Sequence, residues 1–316
     1  MCTGIRFTDN VGHMYFGRNL DWTTGYGEKV IITPHRYRYH SAFLGENTNN
    51  LAIIGMGIIA ENTPLYFDCA NEKGLAVAGL NFPSYAKYEP TPVDGKINVA
   101  AYEFPLWVAR NFTTVDELVI ALKDVAIVAK PVNDQYSVSE LHWLIGDKNR
   151  SIVVEYTENR LEIHDNPPDI LTNQPGYSWH QENLRNYMNL FSQMPKEVKW
   201  GKTVMKPFGT GSLIQGLPGG YSPTDRFVRV AYLNTHYPTK STEEENISRL
   251  FHTLAGVAMI DGAAAMQDGS FEKTVYTGGY STRTQTYYYN TYDDFTIKSV
   301  KLLDQNLDSS ELIIPL

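Results

Sequence analysis

Apolar side chains come in short runs, some alternating with polar residues and some continuous, bounded by glycine, asparagine or charged turn residues. That pattern predicts β-strands over residues 5–9, 14–19 and 29–33, then 52–60, 65–69 and 75–80, then 142–146, 151–156 and 161–164. A last set, 275–280, 284–289 and 295–301, closes the chain and includes Tyr287, Tyr288 and Tyr289. Short turns such as 71–74 (Asn-Glu-Lys-Gly) and 147–150 (Asp-Lys-Asn-Arg) join several of these runs. Their neighbours must be antiparallel, because a parallel pair needs a crossover of about a dozen residues. The continuous apolar runs imply sheets covered on both faces.

Helical periodicity fills the gaps. Thr114-Val-Asp-Glu117 has the form of a capping box and predicts a helix running through Val128. Residues 181–191 and 225–237 also have helical patterns. The segment 241–259 places Ile247, Leu250, Phe251 and Leu254 on one stripe, behind Glu243, Glu244 and Glu245, which suit a helix N-terminus. Strand sets alternating with helices and joined by hairpins predict an α+β fold, arranged in layers. No internal repeat or linker composition interrupts the chain, so a single domain over residues 1–316 is expected. The Gly- and Pro-rich stretch 195–223 is the longest irregular segment, and such loops are commonly functional.

Composition removes several function classes. With 42% hydrophobic and 20% charged residues, a 316-residue chain buries a large core and is not disordered. The net charge of -8 and the lack of a basic stripe argue against nucleic acid as a partner. The longest apolar run, 51–60, falls short of the ~18 residues of a membrane span, and the first ten residues lack the pattern of a signal peptide. Two cysteines, Cys2 and Cys69, cannot form a disulfide framework or a four-ligand zinc site. The histidines show no HExxH or paired-ligand spacing, and Gly219-Gly220 lacks the context of a phosphate loop. The expectation is a cytoplasmic protein with no metal, no cofactor and no stable membrane association.

Cys2 is the most informative residue. Removal of Met1 would leave a first residue carrying both a thiol and a free α-amine. With ordinary pKa values near 8.5 and about 7.7–8.0, the amine can take the thiol proton near neutral pH. Nucleophile and base are then supplied without a histidine. Position alone does not assign the role, since a cysteine at position 2 is ordinarily accidental. Gly17-Arg18-Asn19-Leu20-Asp21-Trp22 adds to it. If 5–9 and 14–19 form a hairpin, Arg18 and Asp21 lie near the chain start. There a guanidinium can stabilise a thiolate and a carboxylate can orient an α-amine, although a surface ion pair would look the same. Cys69, in an apolar run, reads as a buried structural thiol. A papain-like pairing of Cys69 with His142 would need a nucleophile outside a buried strand.

Met-Cys-Thr-Gly-Ile-Arg-Phe at the start, followed by Tyr-Phe-Gly-Arg-Asn-Leu-Asp-Trp at 15–22, resembles the choloylglycine hydrolase family of N-terminal nucleophile amidases. The resemblance continues through Tyr-Phe-Asp-Cys-Ala-Asn-Glu at 66–72, Gly-Leu-Asn-Phe-Pro at 79–83, Leu-Thr-Asn-Gln-Pro at 171–175 and Ser-Pro-Thr-Asp-Arg-Phe-Val-Arg at 222–229. It is strongest toward bile salt hydrolases of the bifidobacterial type.

The resemblance implies a four-layer αββα sandwich of two mainly antiparallel sheets, assembled as a homotetramer. It also implies a catalytic set of Cys2, Arg18, Asp21, Asn81, Asn173 and Arg226. In that set Cys2 attacks, and Arg226 supports it. Asn173 offers its side-chain amide and Asn81 its backbone N–H to a tetrahedral oxyanion, donors worth about 2.7–4 kcal/mol each in comparable sites. Taken alone, an asparagine in either motif is an ordinary turn residue. The implied reaction is hydrolysis of the amide of glycine- or taurine-conjugated bile salts through a Cys2 thioester. The steroid would lie in an apolar pocket walled by 20–26, 58–65 and 126–138. Penicillin V acylase activity is the alternative within the family, and a non-catalytic sterol- or carbohydrate-binding protein the alternative outside it. Asn81 fits the bile salt branch. Gly219-Gly220 stands where many relatives have Gly-Asp, which puts the hydrogen bonding of that loop in question.

Overall fold

Two antiparallel sheets carry the fold in the computed structural model, which describes residues 1–315. Leu316, the last residue of the expected single domain, lies outside the described residues. The first sheet runs in the order Ile170–Leu171, Cys2–Thr8, Met14–Trp22, Lys273–Ser281, Thr286–Thr291 and Lys298–Lys301. The second runs Arg160–Asp165, Ser151–Thr157, Leu141–Gly146, Ala76–Asn81, Thr63–Asn71, Ile53–Ala60 and Lys29–Thr33. Hairpin neighbours are antiparallel, as their short turns require. Lys29–Thr33 leaves its sequence neighbours and joins the far edge of the second sheet, beside Ile53–Ala60.

The central strands of the second sheet are buried on both faces, which is why they read as unbroken apolar runs, whereas the edge strand Arg160–Asp165 is half-buried. Ala76, Ala78 and Leu80 enter the core between the sheets, while Val77 enters a second core. That second core lies beneath helices α1 (Phe104–Asn111) and α2 (Val115–Leu122), which contribute Phe104, Trp107, Val115 and Leu118. Helix α3 (Tyr177–Asn183) follows Ile170–Leu171, the edge strand of the first sheet. Helices α4 (Pro223–His236) and α5 (Glu243–Ala255) cover the outer face of the first sheet. The result is an α+β sandwich with layers in the order α, β, β, α.

Alternation along Met14–Trp22 decides what faces what. Phe16 and Arg18 point toward the second sheet, whereas Gly17 and Asn19 point toward α5. A Cβ on Gly17 would lie 2.7 Å from the Gly278 carbonyl oxygen and 3.1 Å from Leu250 Cδ1. Glycine here lets Leu250 settle directly on the sheet.

Some helix boundaries differ from expectation. The capping box at Thr114 and Glu117 is formed, but α2 ends at Leu122. Val125–Val128 is instead a short strand parallel to Ile97–Ala100, as its β-branched residues favour. α3 begins four residues before the expected start at 181, where the Tyr177 amide donates to Glu155 Oε1. α1 has no counterpart in the sequence reading, because Phe104 to Arg110 are all buried and show no polar stripe. The stretch 195–223 carries a small hairpin, Val198–Trp200 with Thr203–Met205, and exposes Trp200 and Phe208.

Candidate active site

The first hairpin creates the site by register. Cys2 pairs with Leu20 and Gly4 with Arg18, so the thiol and the guanidinium share the face turned toward the second sheet. Arg18 Nη2 donates to Cys2 Sγ over 2.7 Å. Its Nη1 donates to the carbonyl oxygens of Gly79 and Phe67, at 2.7 and 3.0 Å. The guanidinium is thus aimed by backbone carbonyls of the facing sheet rather than by a carboxylate. Burial alone would lower the Arg18 pKa, but the charges of Cys2, Tyr276, Asp68 and Asp21 outweigh it and hold the group above its usual value. Asp68, also buried, accepts hydrogen bonds from the hydroxyls of Tyr276 and Tyr287.

Asp21 faces the α4 side. Its Oδ1 accepts from Thr274 Oγ1 at 2.6 Å, and its Oδ2 lies 3.8 Å from Arg226 Nη1 with no hydrogen-bond partner among the described residues. Burial pushes this carboxyl up, against the lowering influence of Arg226, the chain's amino group and Thr274. The Met1 backbone pairs with Asp21 in both directions, N–H of Asp21 to the Met1 carbonyl at 2.9 Å and the Met1 amino group to the Asp21 carbonyl at 2.6 Å.

Arg226, on α4, is fully buried and donates to the Cys2 carbonyl (2.6 Å), Thr3 Oγ1 (2.6 Å) and Asn173 Oδ1 (2.7 Å). Burial lowers its pKa, although Asp21 and Cys2 oppose the shift. Asn173 Oδ1 also accepts from the Cys2 amide at 2.9 Å, and its Nδ2 donates to the Asn81 carbonyl at 2.7 Å. All six expected residues therefore meet at one place. The Gly219-Gly220 loop is tied to α4, since Arg229 Nη1 donates to the carbonyls of Pro218 and Gly220.

Three residues at this centre were not singled out for the site from sequence. His142 bridges Glu155 Oε1 (3.1 Å) and the Thr172 carbonyl (3.0 Å), and His180 Nε2 lies 3.0 Å from the Asn173 carbonyl. Burial raises the Glu155 carboxyl, but hydrogen bonds and charge from His142 and His164 prevail and hold it at about 2. No spacing in the chain relates positions 142, 155 and 180. Cys69 is buried as expected, and burial pushes its thiol well up.

Cys2, Arg18, Asp21 and Asn81 line a cavity of about 460 Å³, while Asn173 and Arg226 lie behind it. Trp22, Ile58, Leu65 and Val138 are among its walls, so each of the three expected wall segments contributes. Phe67, Tyr102 and Leu141 complete it from the second sheet and the approach to α1. A second hollow of about 450 Å³, near Glu158 and Trp179, holds none of the six. Among the described residues no group of side chains is arranged to hold a metal ion, and no helix is long and apolar enough to cross a membrane.

Residues 2–315 match the model of the linear amide C–N hydrolases, choloylglycine hydrolase family. The chain belongs to the choloylglycine hydrolase family. It is 52% identical over 314 residues to a bile salt hydrolase/transferase of Bifidobacterium longum subsp. longum, covering 99% of both chains. The solved structure of a mutant conjugated bile acid hydrolase from Clostridium perfringens superposes with a TM-score of 0.94 at 35% identity, covering 100% of this chain and 97% of that one. A penicillin V acylase from Agrobacterium tumefaciens shares the fold, with a TM-score of 0.77 at 19% identity over 98% of this chain and 90% of that one. Family membership fixes the reaction class as hydrolysis of a linear amide C–N bond.

Proposed function

We propose that this choloylglycine hydrolase cleaves the amide joining a bile acid to glycine or taurine, with Cys2 as nucleophile once Met1 is removed. The observation that carries the reading is the Arg18–Cys2 contact of 2.7 Å at the floor of an apolar-walled cavity. An amphipathic steroid conjugate fits such a cavity, its apolar body against Trp22, Phe67 and Leu65 and its amide at the sulfur. The names of family relatives point to the same substrate class.

In this reading the Cys2 α-amine takes the thiol proton and Sγ attacks the amide carbonyl carbon. The carbonyl π pair moves to oxygen. One N–H of Asn173 Nδ2 is engaged by the Asn81 carbonyl, and the other is free for that oxyanion, together with the Asn81 backbone N–H. The α-ammonium returns its proton to the leaving nitrogen, the C–N bond breaks, and glycine or taurine departs. Water then attacks the thioester carbonyl, giving one proton to the amine, and the C–S bond breaks to release the bile acid and restore the Cys2 thiolate. Asn173 Oδ1, which accepts from the Cys2 nitrogen at 2.9 Å, receives the α-ammonium, and Asp21 Oδ2, buried without a partner among the described residues, adds negative charge beside it. Arg226 fixes both Cys2 and Asn173.

The single domain over 1–316, the homotetramer and the cytoplasmic location belong to the same reading. The shared core of the two sheets supports the first, and exposed Trp200 and Phe208 offer surface for assembly. The test is amine release from glycocholate, taurocholate and penicillin V by wild type and Cys2→Ala. Cleavage of the bile salts by wild type alone is expected. Exclusive cleavage of penicillin V, or binding of the conjugates without amine release, would overturn the assignment.

A further inference from the structure

We infer that His142 and His180 are positioning residues for Asn173, each holding one backbone carbonyl of the 172–173 segment while stacked on the phenylalanine that follows another residue of the site. The inference rests on the reading of Asn173 as an oxyanion donor.

The ring of His142 stacks on Phe82, next to Asn81, with centroids 4.1 Å apart and planes 9° from parallel. The ring of His180 stacks on Phe227, next to Arg226, at 4.2 Å and 9°. Their hydrogen bonds end on the Thr172 and Asn173 carbonyls. Those two carbonyls belong to the peptide planes on either side of the Asn173 Cα. Holding both planes sets the direction in which the Asn173 amide leaves the backbone.

The two rings differ in what their nitrogens meet. His142 is fully buried, and both of its nitrogens face groups that only accept, a carboxylate and a carbonyl. Glu155 Oε1 also accepts the Tyr177 amide at 3.0 Å, so one carboxylate anchors the histidine and the chain just past the 173–176 turn. Among the described residues the His180 ring has a single hydrogen-bond partner, and its Nδ1 is buried without one. It is a neutral ring with its proton on Nε2, in keeping with the lowering of its pKa to about 4 by burial. Neither ring lines the cavity, so both act through Asn173 rather than on substrate.

The test uses the full chain with Asn173→Ala, His142→Phe, His180→Phe and each histidine variant combined with Asn173→Ala. Phenylalanine keeps the stack and removes the hydrogen bonds. Each folded histidine variant should lose about 10- to 100-fold in kcat, the scale of a misplacement of about 1 Å, with KM changed by less than about threefold. In the Asn173→Ala background the same substitutions should cost almost nothing more. His180→Gln, whose amide can still reach the Asn173 carbonyl, should recover most of the loss. If His142→Phe does not fold, His180→Phe decides alone. A large loss in Asn173→Ala beside wild-type kcat in the histidine variants, or losses that multiply in full, overturns the positioning role. Wild-type kcat in Asn173→Ala overturns the oxyanion reading itself and the inference with it.

Discussion

Acidification should destabilise the protein through His180 as the pH falls from about 6.5 to about 4. An unfolded histidine takes its proton near pH 6.5, whereas His180, sealed between Phe227 and the Asn173 segment, resists it until about 4. Between these values the unfolded chain binds the extra proton, so stability falls as pH falls. Above about pH 6.5 both states hold the ring neutral, and below about 4 both hold it charged, so the slope vanishes at either end. The ring is fully buried, and the gap corresponds to roughly 3 kcal/mol across the window. That is a large share of the 5–15 kcal/mol typical of a folded domain. Denaturant unfolding of wild type and His180→Phe at several pH values from 7 to 4 isolates the contribution as a difference between two curves. The wild type should lose about 3 kcal/mol more than the variant over that range. Parallel curves would refute the burial argument, and a wild type that loses less than the variant would reverse its sign.

Other consequences are independent of this one. Asn173→Ala should lower kcat by about 10²–10³-fold or more, as measured by amine release from glycocholate, because it removes an oxyanion donor and also the acceptor shared by the Cys2 nitrogen and Arg226. Gly17→Ala should cost about 1–3 kcal/mol in denaturant unfolding, since its Cβ would meet the Gly278 carbonyl and Leu250 at 2.7 and 3.1 Å. Thr114→Ala should cost about 1 kcal/mol in the same assay while leaving turnover unchanged, because the capping box of α2 lies away from the cavity.

Most strands were legible because their turns are short and their apolar runs abrupt. The same signal gave the pairing that brings Cys2 beside Arg18, once 5–9 and 14–19 are read as a hairpin. Periodicity failed where burial is complete. α1 shows no stripe because both its sides are covered, and Val125–Val128 reads as more helix because a four-residue apolar run fits either period. Asn81, Asn173 and Arg226 came from resemblance alone, since nothing local distinguishes them from turn or surface residues. Glu155 and His180 escaped both routes, and His142 was weighed only as a partner for Cys69, which burial excludes. Their roles follow from which acceptors the fold places against each ring nitrogen, and that is a property of tertiary placement.

The central claim is that the residue after Met1 attacks the amide carbonyl and that its own amine handles the protons. Acid quenching during turnover of glycocholate, followed by intact and peptide-level mass spectrometry, tests it directly. The account predicts active chains that lack Met1 and carry a cholyl thioester on Cys2. Chains that keep Met1 and turn over at the full rate, or an acyl group on any other residue, would contradict it.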